Sequence, residues 1–347
     1  MKILIRATNW VGDAIMALPA IRAIRNRPDA TISILARSYV ADIYHDQNVA
    51  DELIIYDHRG KHAGVSGRER LASELRSRDF EVAILLQNAF DAAWLAWRAR
   101  IPQRIGYARD ARSLLLTKAV SVPKPSEIPP HEKFYYLELL RRSGWIDSIP
   151  DEAFIKLHVN EASHSRAGAQ LAFAGVRGHA VRIAIGAGAS YGSAKCWPPS
   201  RFAELANQLQ AQWDADVILF GAAGETVVSS AIASKMKRAP IDLTGKTTVA
   251  DLPALLSQCH IFIGNDSGAM HVAAAVGLPA VAIFGPTDPF GTGPVTPRHT
   301  IVRQQPYCSP CFLRRCPIDH RCMTRITTSE VEAAVDPWLA SVVVERV

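Results

Sequence analysis

Long uninterrupted apolar stretches are missing from this sequence of 347 residues. The longest candidate, residues 272–286, is broken by Gly277 and Pro279, so it does not have the pattern of a membrane-spanning helix. The start of the chain is broken in the same way by Arg6 and Asp13, which favours a first strand and helix over a signal peptide. The sequence therefore predicts a soluble, cytoplasmic protein.

Several ligand-binding motifs are also missing. No Walker A sequence occurs, which argues against phosphoryl transfer from ATP. The glycines of residues 186–192 miss the GxGxxG spacing by one residue and lie in mid-chain, which argues against a dehydrogenase or an epimerase. No nucleic-acid-binding module is visible, so we do not expect nucleic acid to be a partner.

Cysteine is scarce except near the end of the chain. Four of the six cysteines fall within fifteen residues, namely Cys308, Cys311, Cys316 and Cys322. Their spacing is compatible with a structural metal site, and reduced thiols are the alternative, since a reducing cytoplasm disfavours stable disulfides. We assign no metal site from the sequence.

The positive charge is unevenly distributed. The formal net charge is +6, and residues 1–125 contain 19 Lys and Arg against 13 Asp and Glu, while the remainder is balanced. A basic first third suggests an anionic partner, such as an acidic glycan or an anionic membrane surface. The alternative is a solvated surface with scattered arginines.

Short apolar runs alternate with helical segments in two series along the chain. The first series covers residues 3–5, 31–35, 53–56 and 82–86, and the second covers residues 181–185, 217–220, 261–263 and 280–284. This alternation is typical of parallel sheets covered on both faces. The sequence predicts an α/β protein with two doubly wound parallel-sheet (Rossmann-like) domains facing across a cleft, connected within residues 159–178.

Every apolar run of the second series ends in glycine and small polar residues. The four tips are GAGASYGSAK, GAAGE, GNDSGAMH and GPTD. Residues 261–288 form one strand, glycine turn, helix and strand, so their polar residues lie at the carboxyl end of a parallel strand. A helix that begins there offers unpaired N–H groups and a positive dipole end, which suits a phosphorylated ligand.

Three blocks of sequence point to a family. NWVGDAIMALPAI, GAGASYGSAKCWPPSRFAELA and GNDSGAMHVAAAVGLPAVAIFGPTDP resemble the ADP-heptose:lipopolysaccharide heptosyltransferases of glycosyltransferase family 9, most closely those of type II. The resemblance implies a GT-B architecture, with an acceptor-binding domain in residues 1–165 and a donor-binding domain in residues 176–328. It also implies that residues 329–347 form a helix returning to the N-terminal domain.

The resemblance implies two catalytic residues, Asp13 and Lys195. Taken alone, Asp13 is a carboxylate at a helix start and Lys195 is a surface ammonium. In the family, the matching aspartate is the candidate base that removes the proton of the acceptor hydroxyl during an inverting transfer. The matching lysine contacts the donor phosphates, where its charge would stabilise the departing diphosphate.

The resemblance also implies donor-binding residues at the tips of the second series. These are Ser190, Lys195, Glu225, Asp266, Ser267, Gly268 and His271. Ser190, Ser267 and Gly268 would contact phosphate and Glu225 the ribose hydroxyls. Asp266 would bind sugar hydroxyls or act with Lys195. His271 is assigned to binding, since a single histidine is more often structural than catalytic.

The implied reaction transfers heptose from ADP-heptose to the first heptose of the lipopolysaccharide inner core, with heptosyl-Kdo2-lipid A as acceptor. Kdo carboxylates and lipid A phosphates suit arginine, so candidate acceptor-binding residues are Arg6, Asn9, Arg104 and Arg109. We expect no cofactor and no metal, and transient peripheral contact with the inner leaflet of the cytoplasmic membrane. The alternatives are a type I or type III enzyme acting on Kdo or another inner-core sugar, and a non-catalytic nucleotide-sugar-binding protein.

Overall fold

The computed structural model describes residues 1–150 and 155–344. The chain divides into two compact units, here called unit 1 (Met1–Ile155) and unit 2 (Lys156–Val347). Each unit contains its own six-stranded sheet. In both sheets, all of the strand pairs are parallel.

Unit 1 alternates strands with helices along the chain. Its strands are β1 (Lys2–Arg6), β2 (Thr31–Ala36), β3 (Glu52–Ile55), β4 (Val82–Leu85), β5 (Gln103–Tyr107) and β6 (Lys118–Val120). Its helices are α1 (Val11–Met16), α2 (Leu18–Arg25), α3 (Ser38–Ala41), α4 (Gly64–Arg76), α5 (Phe90–Arg98) and α6 (Glu132–Arg142). The strand order is β3-β2-β1-β4-β5-β6, which is a doubly wound sheet.

Unit 2 repeats this pattern. Its strands are β7 (Arg182–Gly186), β8 (Asp216–Leu219), β9 (Ile241–Asp242), β10 (Ile261–Asn265), β11 (Ala280–Phe284) and β12 (His299–Arg303). Its helices are α7 (Glu161–Phe173), α8 (Pro199–Trp213), α9 (Thr226–Ala233), α10 (Leu252–Ser257), α11 (Gly268–Ala275), α12 (Pro289–Thr292), α13 (Arg321–Thr324) and α14 (Thr328–Val344). The strand order, β12-β11-β10-β7-β8-β9, is the same as in unit 1.

The central strands of both sheets are buried because their residues are apolar on both faces. All five residues of β10 and of β11 are buried, and so are all four of β4 and of β8. Branched apolar side chains on both faces of a strand suit a parallel sheet that is covered by helices on both sides. The eight strands predicted from the two series of apolar runs are confirmed, and so is the doubly wound α/β class.

The four strands that the apolar pattern did not predict lie toward the outer edges of the sheets. They are β5 and β6 in unit 1 and β9 and β12 in unit 2. β5 begins with polar Gln103 and Arg104, β9 has two residues, and every residue of β12 is only partly buried. Such strands lack the continuous apolar run by which buried strands are recognised.

Two helices of unit 2 bear on the predicted domain organisation. The stretch predicted as the connection, residues 159–178, contains α7, which packs against α10 within unit 2. The last helix, α14, packs against α8 and against β10, β11 and β12. Its predicted return to the N-terminal domain stays a prediction. Within residues 1–150 and 155–344, no helix combines the length and apolar character needed to cross a membrane.

Candidate active site

The strand order of unit 2 places the loops after β7 and β10 side by side. β7 pairs directly with β10, and from these two strands the chain runs outward in opposite directions across the sheet. Loops that leave such a pair diverge to opposite faces of the sheet and open a crevice at its carboxyl edge, where ligands bind in open α/β folds. Residues 187–198 follow β7 and residues 266–267 follow β10, so both segments border this crevice.

Lys195 and Asp266 form an ion pair at this point. The Lys195 Nζ atom lies 2.5 Å from Asp266 Oδ2, and the hydroxyl of Thr287 donates to the same oxygen at 2.7 Å. The side chain of Lys195 is 12% exposed and that of Asp266 is 4% exposed. The predicted association of Lys195 with Asp266 is therefore present. Thr287, which belongs to the GPTD tip, joins this pair although the sequence did not single it out as a site residue.

Asn265, the last residue of β10, ties the neighbouring loops together. Its side chain is buried, donates to the Ala187 carbonyl at 2.6 Å and accepts from the Trp197 amide at 3.0 Å. A single side-chain amide thus fixes both ends of the loop of residues 187–198 to the end of β10. This arrangement holds the loop that contains Lys195 against the strand that Asp266 follows.

The remaining predicted donor residues lie on the same edge of the sheet. Ser267 precedes α11, and its Oγ atom is buried with no hydrogen-bond partner among the described residues. Gly268 is the first residue of α11, and His271 is buried one turn further on. Ser190 is exposed in the loop after β7. The serine hydroxyl at the helix start could therefore donate to a ligand oxygen.

Glu225 lies at the tip of β8, against the tip of β7. Its Oε2 atom accepts from the Ala222 amide at 2.8 Å, and burial raises the pKa of its carboxyl above the ordinary 4.5. A Cβ atom at Gly188 would lie 2.0 Å from the carboxyl carbon of Glu225. Only glycine therefore allows β7 and Glu225 to approach so closely, and a small cavity lined by Gly188, Glu225 and Thr244 remains between the two tips.

Residues 308–322, here called the tail, contact the loop of residues 187–198, here called the Lys195 loop. The Tyr191 hydroxyl donates to the Phe312 carbonyl at 2.6 Å, and the Ala194 amide donates to the Arg314 carbonyl at 3.1 Å. The Tyr191 ring also lies beneath two cations, Lys195 at 4.8 Å and Arg314 at 5.2 Å. No periodicity or spacing in the sequence indicates Tyr191 or Arg314 as site residues.

The four clustered cysteines belong to this same tail. Burial and the proximity of Cys308, Cys311 and Cys316 raise the pKa of the Cys322 thiol to about 11. Nevertheless, no set of three or more His, Cys, Asp or Glu side chains in residues 1–150 and 155–344 is arranged to hold a metal ion. The ring of His320, which lies between the last two cysteines, donates from Nε2 to the Ala194 carbonyl at 2.7 Å. The described contacts of the tail thus support the loop that carries Lys195.

In unit 1, Asp13 lies where the strand order predicts a second crevice. β1 pairs with both β2 and β4, and Asp13 is on α1, which follows β1. Its side chain is partly exposed. Burial is the main reason that the pKa values of Tyr44 and Tyr136 lie above the ordinary 10.0, and the Asp13 carboxylate adds to both shifts. Asp13 therefore has one accessible side and two tyrosines nearby.

Arg6 and Asn9, two of the predicted acceptor-binding residues, contact each other. The buried Arg6 guanidinium donates to Asn9 Oδ1 at 2.8 Å and to the Ala7 carbonyl at 2.5 Å, and it lies 5.4 Å from the Tyr56 ring centroid. Burial lowers the pKa of Arg6 to about 10. Its Nε atom has no hydrogen-bond partner in the described part of the chain. Arg6 therefore places a buried positive charge at the carboxyl end of β1.

The other two predicted acceptor residues lie at opposite edges of the sheet. Arg104 is the second residue of β5, at the amino end, and its guanidinium donates to the Leu115 and Ile101 carbonyls at 2.7 and 2.6 Å. Arg109 follows β5 at the carboxyl edge and is exposed. The structure thus brings Arg6, Asn9 and Arg109 to the edge that carries Asp13, and it does not bring Arg104 there.

The pair of parallel sheets is the architecture of GT-B glycosyltransferases. The structure of ADP-heptose lipopolysaccharide heptosyltransferase II from E. coli matches with a TM-score of 0.82 at 26% identity, covering 98% of this chain and 99% of that one. A glycosyltransferase family 9 structure from Veillonella parvula shares the fold, with a TM-score of 0.85 at 23% identity and coverage of 98% and 97%.

Sequence comparison identifies the family within this class. Residues 68–321 match the family described as glycosyltransferase family 9 (heptosyltransferase). Lipopolysaccharide heptosyltransferase 2 of Salmonella typhimurium is 30% identical over 312 residues, which cover 87% of this chain and 88% of that protein. The chain belongs to glycosyltransferase family 9 and is a glycosyltransferase, which confirms the resemblance inferred from the three blocks of sequence.

Proposed function

We propose that this enzyme transfers L-glycero-D-manno-heptose from ADP-heptose to the first heptose of the lipopolysaccharide inner core, with inversion at the anomeric carbon. The observation that carries the proposal is the largely buried Lys195–Asp266–Thr287 group beside the start of α11 in unit 2. Relatives that bear the name heptosyltransferase 2 support the choice of sugar and acceptor.

The donor diphosphate would bind at the crevice of unit 2. The carboxylate of Asp266 compensates the charge of Lys195 at 2.5 Å. A phosphate oxygen would compete for this ammonium, and the Ser267 hydroxyl and the first amides of α11 would donate to the same group. The partly buried Glu225 carboxylate would accept hydrogen bonds from ribose hydroxyls, as acceptor oxygens do.

The transfer step would use Asp13 as the base. Its carboxylate takes the proton of the acceptor hydroxyl while that oxygen forms a bond to the anomeric carbon. The bond between the anomeric carbon and the diphosphate oxygen breaks, and its electron pair leaves with ADP. Lys195 stabilises the charge that develops on the leaving oxygen, so we propose that the reaction needs neither a metal nor another cofactor.

The acceptor would be heptosyl-Kdo2-lipid A, a lipid-anchored glycan. Arg109 and Asn9 would contact it at the carboxyl edge of the first sheet, above the buried charge of Arg6. Because such an acceptor stays in a bilayer, we propose transient contact of the enzyme with the inner leaflet of the cytoplasmic membrane.

A set of defined lipopolysaccharides tests the proposal directly. The enzyme is incubated with ADP-heptose and acceptors that end in Kdo, in one heptose or in two, and the mass of each acceptor and the release of ADP are measured. We expect the acceptor with one heptose to gain one heptose. Gain on the Kdo-terminated acceptor would indicate a type I activity, and gain on the two-heptose acceptor a type III activity. Binding of ADP-heptose without transfer to any acceptor would contradict an enzymatic role.

A further inference from the structure

Two positive charges share one aromatic ring beside the crevice of unit 2. The Lys195 Nζ atom lies 4.8 Å from the centroid of the Tyr191 ring, and the guanidinium carbon of Arg314 lies 5.2 Å from the same centroid. These distances are within the range of favourable contacts between a cation and an aromatic ring. Arg314 is therefore placed near the lysine that the proposed function assigns to the donor phosphates.

The backbone of Arg314 is fixed to the Lys195 loop. Its carbonyl accepts the Ala194 amide at 3.1 Å, and the Phe312 carbonyl accepts the Tyr191 hydroxyl at 2.6 Å. A Cβ atom at Gly192 would lie 2.3 Å from the Arg314 carbonyl oxygen, so the two segments are in close contact. The position of Arg314 relative to Lys195 is thus set by the fold, while its side chain is exposed.

The charge of Arg314 is not compensated within the described part of the chain. Lys195 has the carboxylate of Asp266, but Arg314 forms neither an ion pair nor a side-chain hydrogen bond with any described residue. Two like charges at one ring repel each other, and an anion that contacts both relieves this repulsion. A guanidinium presents paired donors that match the oxygens of a phosphate group.

We propose that Arg314 is a second cation for the donor diphosphate, contacting the phosphate oxygens together with Lys195. The proposal rests on the proposed function, because that function identifies the ligand as a nucleoside diphosphate sugar. The Tyr191 ring contacts both cations, at 4.8 Å for Lys195 and 5.2 Å for Arg314. The role extends the donor site into the cysteine-containing tail.

Binding of ADP alone tests this role without acceptor and without turnover. The variant is Arg314→Gln, and the matched control is Arg315→Gln, which removes the same charge from the exposed neighbouring residue. Calorimetric titration of each protein with ADP and with adenosine separates contacts to phosphate from contacts to the nucleoside. We expect Arg314→Gln to weaken ADP binding by about tenfold, with adenosine unchanged and Arg315→Gln within about twofold of the wild type.

The outcomes separate this inference from the proposed function. Equal ADP affinities in wild type and Arg314→Gln, or equal losses in both variants, would overturn the role of Arg314 and leave the transferase proposal intact. If Arg314→Gln alone loses ADP affinity and the wild type transfers no heptose, the role of Arg314 is supported and the proposed acceptor reaction is refuted. Wild-type protein that does not bind ADP would refute both. Partial recovery of ADP affinity in Arg314→Lys would support a contact of charge with phosphate.

Discussion

Removal of Lys195 should destabilise unit 2 as well as impair catalysis. Both side chains of the Lys195–Asp266 pair are largely buried, at 12% and 4% exposure, and Lys195→Ala leaves the carboxylate without its ammonium. Breaking a buried ion pair in this way costs about 3–5 kcal/mol, and the remaining hydrogen bond from Thr287 favours the lower end. For a unit of this size, about 3 kcal/mol corresponds to a fall in Tm of about 6–12 °C.

The same substitution should change the kinetics in a defined way. Lys195 is proposed to interact more strongly as charge develops on the leaving diphosphate, so both the donor KM and kcat should suffer. By analogy with the loss of one donor from an oxyanion-stabilising site, kcat/KM for the donor should fall by about 10²–10³-fold. Initial rates at varied ADP-heptose concentration, with acceptor held in excess, measure this fall.

Two further variants make the experiment decisive. Lys235→Ala removes an exposed lysine of the same unit and should leave both Tm and kcat/KM near the wild-type values. Adding Asp266→Asn to Lys195→Ala should recover part of the lost Tm, because the buried group is then neutral. A Tm for Lys195→Ala within about 2 °C of the wild type would refute the energetic argument. A rise confined to the acceptor KM would instead assign Lys195 to the acceptor.

Four further outcomes are expected. Asp13→Asn should lower kcat by about 10²–10⁴-fold with nearly unchanged ADP-heptose affinity, and wild-type turnover would refute its role as the base. Because burial raises the pKa of Glu225 above 4.5, this residue contributes stability at low pH that is lost as pH rises through the raised value. In thermal unfolding, Glu225→Gln should therefore lose less stability than the wild type as pH rises through that window, and identical pH profiles would contradict the raised pKa of the Glu225 carboxyl. Raising ionic strength to about 0.15 M or more should increase the acceptor KM several-fold and the donor KM little, with less salt sensitivity in Arg109→Glu. Equal salt dependence for both substrates would mean that the basic first third is only a solvated surface. EDTA treatment should leave kcat unchanged, and loss of activity that added metal restores would refute metal-independent transfer.

The positions of the proposed donor residues in unit 2 could be predicted because these residues follow strands with a strong apolar signal, while their roles are implied only by the resemblance to the family. Lys195 and Asp266 are 71 positions apart, yet each follows an apolar run that ends in glycine and polar residues. Parallel strands bring such ends to one edge of a sheet. The pairing of the two side chains and the hydroxyl of Thr287 follow from packing, which sequence pattern does not specify.

The positions of the proposed acceptor residues are harder to predict because charge alone does not locate a side chain. The basic first third suggests Arg104 as an acceptor-binding residue, but Arg104 lies at the amino end of β5 and donates to backbone carbonyls. Because β5 begins with polar residues, the apolar pattern does not predict this strand. The end of the strand at which Arg104 lies could therefore not be inferred. The burial of Arg6 could not be predicted either, since an arginine at a strand end is usually exposed.

The common strand order of the two sheets explains where Asp13, Lys195 and Asp266 lie. In each unit, the first and fourth strands are neighbours, and the chain runs outward from them in opposite directions. Asp13 follows the first strand of unit 1, Lys195 follows the first strand of unit 2, and Asp266 follows the fourth strand of unit 2. A crevice forms only at such a reversal, because elsewhere consecutive loops cross to the same face. Substitutions at the ends of outer strands such as β9 and β12 should therefore affect stability more than catalysis.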